Sequence, residues 1–299
     1  MSVALPATII ERAKAFAANA KSPHTNSAYE SDMKDFEAWC FAQSFESLPA
    51  TPRTVGFYLA ARAGTLKVST LSRRLVAIKS AHVLNGFELD TKHPAIRETL
   101  TGIKRTYGVA RNERAPLLTE DLRRAVDAEP SQRNRAIMLL GFAAALRRSE
   151  IVSLDVDDLT FTDDGVIVFL AKRKNDQEGE GTKIGVPFGS DPITCPVRNL
   201  KTHLGDNEDG PIFLNRWGHR LSGKWVWKIV KNAVERIGMD PEQFGGHSLR
   251  AGLATSAAKA GVGERSIMRQ TGHKSVAMLR RYIRDGDIFT ENAAARVGL

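Results

Sequence analysis

The longest uninterrupted apolar stretch in this chain, residues 136–146 (Ala-Ile-Met-Leu-Leu-Gly-Phe-Ala-Ala-Ala-Leu), runs directly into two arginines, Arg147 and Arg148. A helix that is apolar on every side is stable only inside a core. The stretch is too short to cross a bilayer, which needs about 20 apolar residues. The chain must therefore build a core around this segment, and the segment delivers Arg147 at its end.

Composition sets the scale of that core and the kind of partner it serves. With 299 residues and 42% hydrophobic content, the chain can fill two domains. A net charge of +9 and a pI near 9.7 favour a polyanionic partner. The excess is shared: residues 1–110 hold 14 Lys and Arg against 9 Asp and Glu, and the remainder holds 29 against 25, so both halves are expected to touch that partner. Cys40 and Cys195 form neither a disulfide framework nor a metal-ligand spacing, which points to a reducing compartment. Glu11 and Arg12 stand where a signal peptide would need its apolar centre. The expectation is a cytoplasmic, nucleoid-associated protein with no membrane contact and no cofactor. Asp155, Asp157 and Asp158 lack a matching histidine or distant carboxylate cluster, so turn and cap roles are expected of them rather than metal binding.

The hydrophobic periodicity gives a mostly α fold with a small antiparallel β-sheet. Residues 1–107 read as helices with short polar breaks. Thr25-Asn26-Ser27 is a candidate cap for a segment carrying Tyr29, Met33, Phe36 and Trp39, and Thr51-Pro52 opens the next. Val68, Leu71, Leu75 and Ile78 repeat with helical period, leaving Arg73, Arg74 and Lys79 on other faces. Residues 108–116 read as a linker, and residues 117–299 as a second, mixed α+β domain. That domain opens at Leu118-Thr119-Glu120-Asp121 with a threonine cap. Within it, residues 166–171 and 182–187 read as a strand pair after the Asp164-Gly165 turn. Trp225 and Trp227 stand between Lys224 and Lys228, the tryptophans expected to be buried and the lysines to contact the backbone of a polyanionic partner.

The densest motif is Gly246-His247-Ser248-Leu249-Arg250, followed by Thr271-Gly272-His273 and, nine residues on, Tyr282. Together with Ala144-Ala145-Leu146-Arg147-Arg148-Ser149-Glu150-Ile151, this set resembles the tyrosine recombinases of the phage integrase family, and its ending resembles the simple, Cre-like members. The likeness extends over nearly the whole chain. It implies a helical core-binding (SAM-like) domain in front of a tyrosine-recombinase catalytic domain. Ala145 departs from the family pattern, which has glycine before the Leu-Arg pair.

The chemistry fits the resemblance. Cleaving a phosphodiester without a metal needs permanent cations on the non-bridging oxygens, and arginine forks onto phosphate at any working pH. The family pattern makes Arg147, Arg250, His247 and His273 the phosphate ligands and Tyr282 the nucleophile. A nucleophile that stays joined to DNA conserves the bond for strand exchange. A continuous helix from His273 to Tyr282 would turn about 900° and place the two on opposite sides, so the chain must break between them. Ser275 is the candidate cap of a new helix, with Val276, Leu279 and Ile283 on its apolar face and Arg280, Arg281 and Arg284 around the tyrosine. Arg281 is further expected to contact DNA. The hairpin of residues 172–181 is similar to the one that carries the family's general-acid lysine. Lys174 aligns with that lysine, with Lys172 and Lys183 as competitors. Glu150 is expected to orient an active-site group, ordinary helix capping being the alternative. The resemblance implies a homotetramer acting on double-stranded DNA with inverted half-sites, any accessory proteins remaining open. Its rivals are a type IB topoisomerase-like DNA-relaxing enzyme and a catalytically silent DNA-binding regulator.

Overall fold

Prolines set where helices begin at the front of the chain. A proline's fixed φ and missing N–H suit the first helical turn, and α1 (Pro23–Ala42), α2 (Pro52–Arg62) and α4 (Pro94–Tyr107) all open on one, with α3 (Val68–Leu84) between them. The computed structural model describes residues 21–109, 114–171, 181–273, 275–277 and 279–280, with Ile9, Arg12 and Phe16. The chain divides into two units, Met1–Asn112 and Glu113–Leu299.

In the first unit, α1 starts earlier than the Thr25-Asn26-Ser27 reading has it. Ser22 accepts from the Thr25 N–H at 3.2 Å, and Pro23 takes the first helical position. Thr51 caps α2 as expected, its hydroxyl accepting from the Thr54 N–H at 3.1 Å. The core gathers Phe36, Cys40, Tyr58, Leu59, Leu71, Ile78 and Ile96, with Leu75 packed partly buried against it. Burial pushes the Cys40 thiol up to about 11, helped by the nearby Glu37 charge.

The second unit is built around the apolar run. Its elements are α5 (Thr119–Asp127), α6 (Gln132–Ala143), α7 (Arg148–Ser153), β1 (Leu159–Phe161), β2 (Gly165–Leu170), β3 (Thr182–Pro187), α8 (Pro196–Leu204), α9 (Gly223–Arg236), α10 (Ser248–Lys259) and α11 (Glu264–Thr271). The three strands form an antiparallel sheet in the order β1-β2-β3, with Phe161 opposite Val166 and Leu170 opposite Thr182. Alternation buries Val166, Val168 and Leu170 together with Ile184 and Val186. β1, too short to show a period, adds a strand that the sequence pattern does not announce. Thr119 is the first helical residue of α5 rather than its cap; its N–H is satisfied by the Ser256 hydroxyl of α10 at 3.2 Å. A cap borrowed from another helix leaves no local signature.

α6 is buried from Ala136 to Phe142 and stops three residues before the run does. Leu146 N–H donates to the Gly141 carbonyl and Ala145 N–H to the Phe142 carbonyl, both at 2.9 Å, the paired bonds of a Schellman cap. The pivot is Ala145, at φ +49°. This left-handed position is the one where the family pattern places glycine, and a side chain there costs about 1–2 kcal/mol.

α10 passes close beneath the segment that leads into α5. The Leu117 N–H donates to the Ser248 carbonyl at 3.0 Å, and a Cβ added at Gly252 would stand 1.9 Å from the Leu117 carbonyl oxygen. Gly252→Ala should therefore force two backbones apart and destabilise the second unit by about 1–3 kcal/mol, the usual cost of overpacking. Chemical denaturation checks this, and an unchanged midpoint would contradict the packing described.

Candidate active site

Arg147 sits in the turn between α6 and α7, not on the end of the apolar helix, because the left-handed Ala145 closes α6 early. Its backbone N–H donates to Glu150 Oε2 at 2.8 Å and its Nη1 to Glu150 Oε1 at 2.5 Å. Glu150 is buried, so one carboxylate fixes both the backbone and the guanidinium of Arg147.

Arg250 lies in the first turn of α10 and is 4% exposed. Its Nη1 donates to the Ala145 carbonyl at 2.6 Å, anchoring it on the same turn that presents Arg147. His247 caps α10 and is exposed. It is held by a tight loop in which Gly245 N–H donates to Ser248 Oγ at 3.0 Å and Ser248 N–H returns to the Gly245 carbonyl at 2.8 Å.

His273 follows Gly272, whose left-handed backbone (φ +66°) ends α11. The imidazole is buried, with Nδ1 2.8 Å from Thr271 Oγ1, while that hydroxyl donates to the Ile267 carbonyl at 2.7 Å. A hydroxyl has one proton, so toward the ring it can only accept. Nδ1 therefore carries a hydrogen, which fixes the orientation of the ring. Gln270 ties this helix to the rest: its Nε2 donates to the Ala143 carbonyl at 2.7 Å and to the Gly185 carbonyl at 3.1 Å. Three hydrogen-bonded elements thus converge on the end of α6. Beside His273 opens a cavity of about 510 Å³ lined by Arg265, Ser266, Met268 and Arg269.

Tyr282, Lys174 and Arg281 lie outside the described residues. The chain does break after His273: residues 276, 277, 279 and 280 are again helical, with the Leu279 N–H reaching the Ser275 carbonyl at 3.3 Å. Leu279 is buried against Ala254 and Ile267, but Val276 is exposed, so the expected apolar face is narrower than the sequence pattern suggests. Arg280 is engaged by Glu264 at 2.9 Å rather than left as free positive charge. Lys183 is exposed on β3, opposite Phe169.

The DNA-contact candidates divide. Lys79, Lys224 and Lys228 are exposed. Arg73 is half exposed and donates from Nε and Nη2 to the buried Asp32 at 2.8 and 2.9 Å. Arg74 turns inward, 13% exposed, between Asp32, Asp35 and the Tyr58 hydroxyl. Burial alone would lift the Asp35 carboxyl, but the Tyr58 hydroxyl and the Arg74 and Arg62 charges outweigh it and hold Asp35 below its ordinary value. Trp225 is 42% exposed with Lys228 over its ring, contrary to the burial expected of it, because it lies off the buried stripe of Val226, Ile229, Val230 and Ala233. Asp158 caps the Asp155 N–H at 2.9 Å, and Asp155 pairs with Arg220 at 2.5 Å. Among the described residues no group of three or more His, Cys, Asp or Glu could hold a metal ion, and no helix is long and apolar enough to cross a membrane. Sequence reasoning passed over Thr271 and Gln270; the threonine two residues before His273 was the available signal.

Known proteins of similar sequence and fold identify the family. The model of the phage integrase family matches residues 116–287. The chain is 39% identical to an integrase/recombinase xerD homolog of Selenomonas ruminantium, over 96% of this chain and 89% of that one. It is 28% identical to tyrosine recombinase XerC of Pelobacter propionicus, over 87% and 84%. In fold it is similar to the Tn1549 transposon integrase in complex with transposon right-end DNA, with a TM-score of 0.66 at 15% identity over 92% of this chain and 95% of that one. A lambda integrase dimer bound to a core site gives 0.63 at 17%, over 93% and 94%.

The hydrogen-bonded pair of Thr271 and His273 makes a testable demand. Thr271→Val keeps the shape but removes the acceptor, so the ring should lose its preference for a proton on Nδ1. DNA cleavage should slow roughly tenfold, the rate equivalent of one lost neutral hydrogen bond. Long-range ¹⁵N–¹H correlation of the imidazole reports the tautomer. Thr271→Ser should retain both, and a Val variant with native tautomer and rate would remove Thr271 from the site.

Proposed function

Since this chain belongs to the phage integrase family of tyrosine recombinases, we propose that Tyr282 attacks a DNA phosphodiester while Arg147, Arg250, His247 and His273 hold the phosphate. The enzyme is a site-specific recombinase that acts on DNA. In the cleavage step the Tyr282 oxygen bonds to phosphorus and the bond to the 5′ oxygen breaks, giving a 3′-phosphotyrosine and a free 5′-hydroxyl. His247 takes the phenolic proton and Lys174 protonates the leaving oxygen. A 5′-hydroxyl from the second site then attacks the phosphotyrosine, reversing the chemistry with exchanged strands. No external energy is needed because the tyrosyl ester retains that of the broken bond.

The observation that carries this reading is the Arg250 bond to the Ala145 carbonyl. It fixes a second, nearly buried guanidinium on the turn that presents Arg147, so two permanent cations are set before substrate arrives. With Nδ1 of His273 committed to Thr271, its Nε2 meets the phosphate as a donor when the ring is protonated. Glu150 acts through Arg147, holding it in place. Both units contribute DNA contacts, with Lys79, Lys224 and Lys228 exposed for the backbone and Arg73 and Arg281 as further candidates.

A suicide duplex, which traps the covalent adduct, tests the assignments. Tyr282→Phe should bind DNA yet form no adduct, and the unaltered chain should form adduct in EDTA because the arginines supply the charge. Lys174→Ala should be slow on ordinary DNA and restored by a 5′-bridging phosphorothiolate, whose sulfur leaves without a proton; Arg250→Ala should not be restored. Adduct from the Phe variant, or equal rescue of both others, would overturn the corresponding role. Sequencing the trapped DNA identifies the site.

Assembly is the remaining part of the reading. We assign a homotetramer on two sites, each of paired inverted half-sites. An apolar groove of about 490 Å³, lined by Leu122, Leu139, Phe142, Leu253, Val262 and Ile267 among others, suits the tail of a neighbouring copy, which carries Val297 and Leu299. Light scattering on the recovered full site should count four copies for the whole chain and fewer for a chain lacking residues 287–299. Four copies without the tail would give the groove another role.

A further inference from the structure

Arg148, the neighbour of Arg147, has no part in this chemistry. It is the first residue of α7, at the positive end of that helix, where a cation opposes the macrodipole. Its position therefore does not serve helix stability. It is exposed, and among the described residues no carboxylate pairs with it, whereas Arg147 is held by Glu150. Its stem, by contrast, is closely seated. A Cβ added at the buried Gly246 would lie 2.1 Å from both Cγ and Cδ of Arg148, and the three nearest atoms to that Cβ all belong to Arg148. On another side, a Cβ at Gly223 would be 3.7 Å from the Arg148 Cβ. The missing side chain at Gly246, directly before His247, leaves a track for the methylenes of Arg148.

A packed stem with an unpaired, exposed guanidinium beside Arg147 and His247 is a cation prepared for an anion. We propose that Arg148 is a positioning residue that binds a DNA backbone phosphate next to the scissile one and so fixes the register in which Arg147 and His247 meet their target. Gly246 is the device that seats it. This rests on the reading of the chain as a DNA recombinase. Phosphate contacts set register without reading sequence, and each one releases counterions, so its loss appears as a shallower salt dependence.

The test is fluorescence anisotropy on a labelled duplex of generic sequence, titrated with salt, for the full chain and four variants. Arg148→Ala should weaken binding roughly tenfold at low salt and make the slope of log K against log salt shallower by about one. Arg148→Lys, which keeps the charge, should restore the slope. Gly246→Ala should reproduce most of the Arg148→Ala loss in the native background and add little when combined with Arg148→Ala, because the three atoms nearest the added methyl are then gone. An unchanged slope for Arg148→Ala overturns the phosphate contact. Equal losses from Gly246→Ala in both backgrounds overturn its role as the seat of Arg148. If the unaltered chain fails to bind the duplex in a salt-dependent way, it is the recombinase reading itself that fails.

Discussion

The second unit depends on one hydrogen bond, from the Arg250 guanidinium to the carbonyl of Ala145. Burying an arginine costs several kcal/mol unless its donors are met, and Arg250 is almost wholly enclosed. The carbonyl it uses stands at the C-terminal end of α6, where the helix leaves partial negative charge. That end exists because Ala145 adopts a left-handed backbone and turns the chain out of the helix. A strained residue, a helix terminus and a buried cation thus stabilise one another, and the result is a turn with guanidinium groups on both sides of it.

Around this turn the charges are compensated unequally. Glu150 holds Arg147, and the α6 terminus holds Arg250. Among the described residues, Arg148 has no acid to meet. A DNA phosphate is the anion proposed to meet these cations. In the first unit the balance is struck internally: Asp32 and Asp35 on α1 draw Arg62, Arg73 and Arg74 of the neighbouring helices toward them. The same residue type thus serves packing in one unit and is proposed to serve substrate in the other.

The sequence by itself determined the elements whose signals are local. The apolar run required a buried helix, Thr51-Pro52 opened α2, and apolar runs on either side of a turn-rich segment marked β2, one residue late, and β3 as strand partners. Arg147, His247, Arg250 and His273 were candidates from their resemblance to a family pattern whose residue types suit a phosphate, although their anchors were not. Of those anchors, the Ala145 carbonyl is supplied by backbone geometry and leaves no pattern, whereas Thr271 stands in the motif with His273 and only its bond to the ring had to await the structure.

Only the tertiary structure decided where side chains of equal propensity point. Arg73, Arg74 and Lys79 share one helix and look alike in sequence, yet Arg74 is turned inward by two aspartates on another helix while Lys79 faces solvent. Trp225 and Trp227 differ by two positions and fall on different sides of the buried stripe of α9. The cap of α5 comes from Ser256, far along the chain. In each case the deciding contact joins residues distant in sequence, and a local period carries no information about the partner that folding will bring.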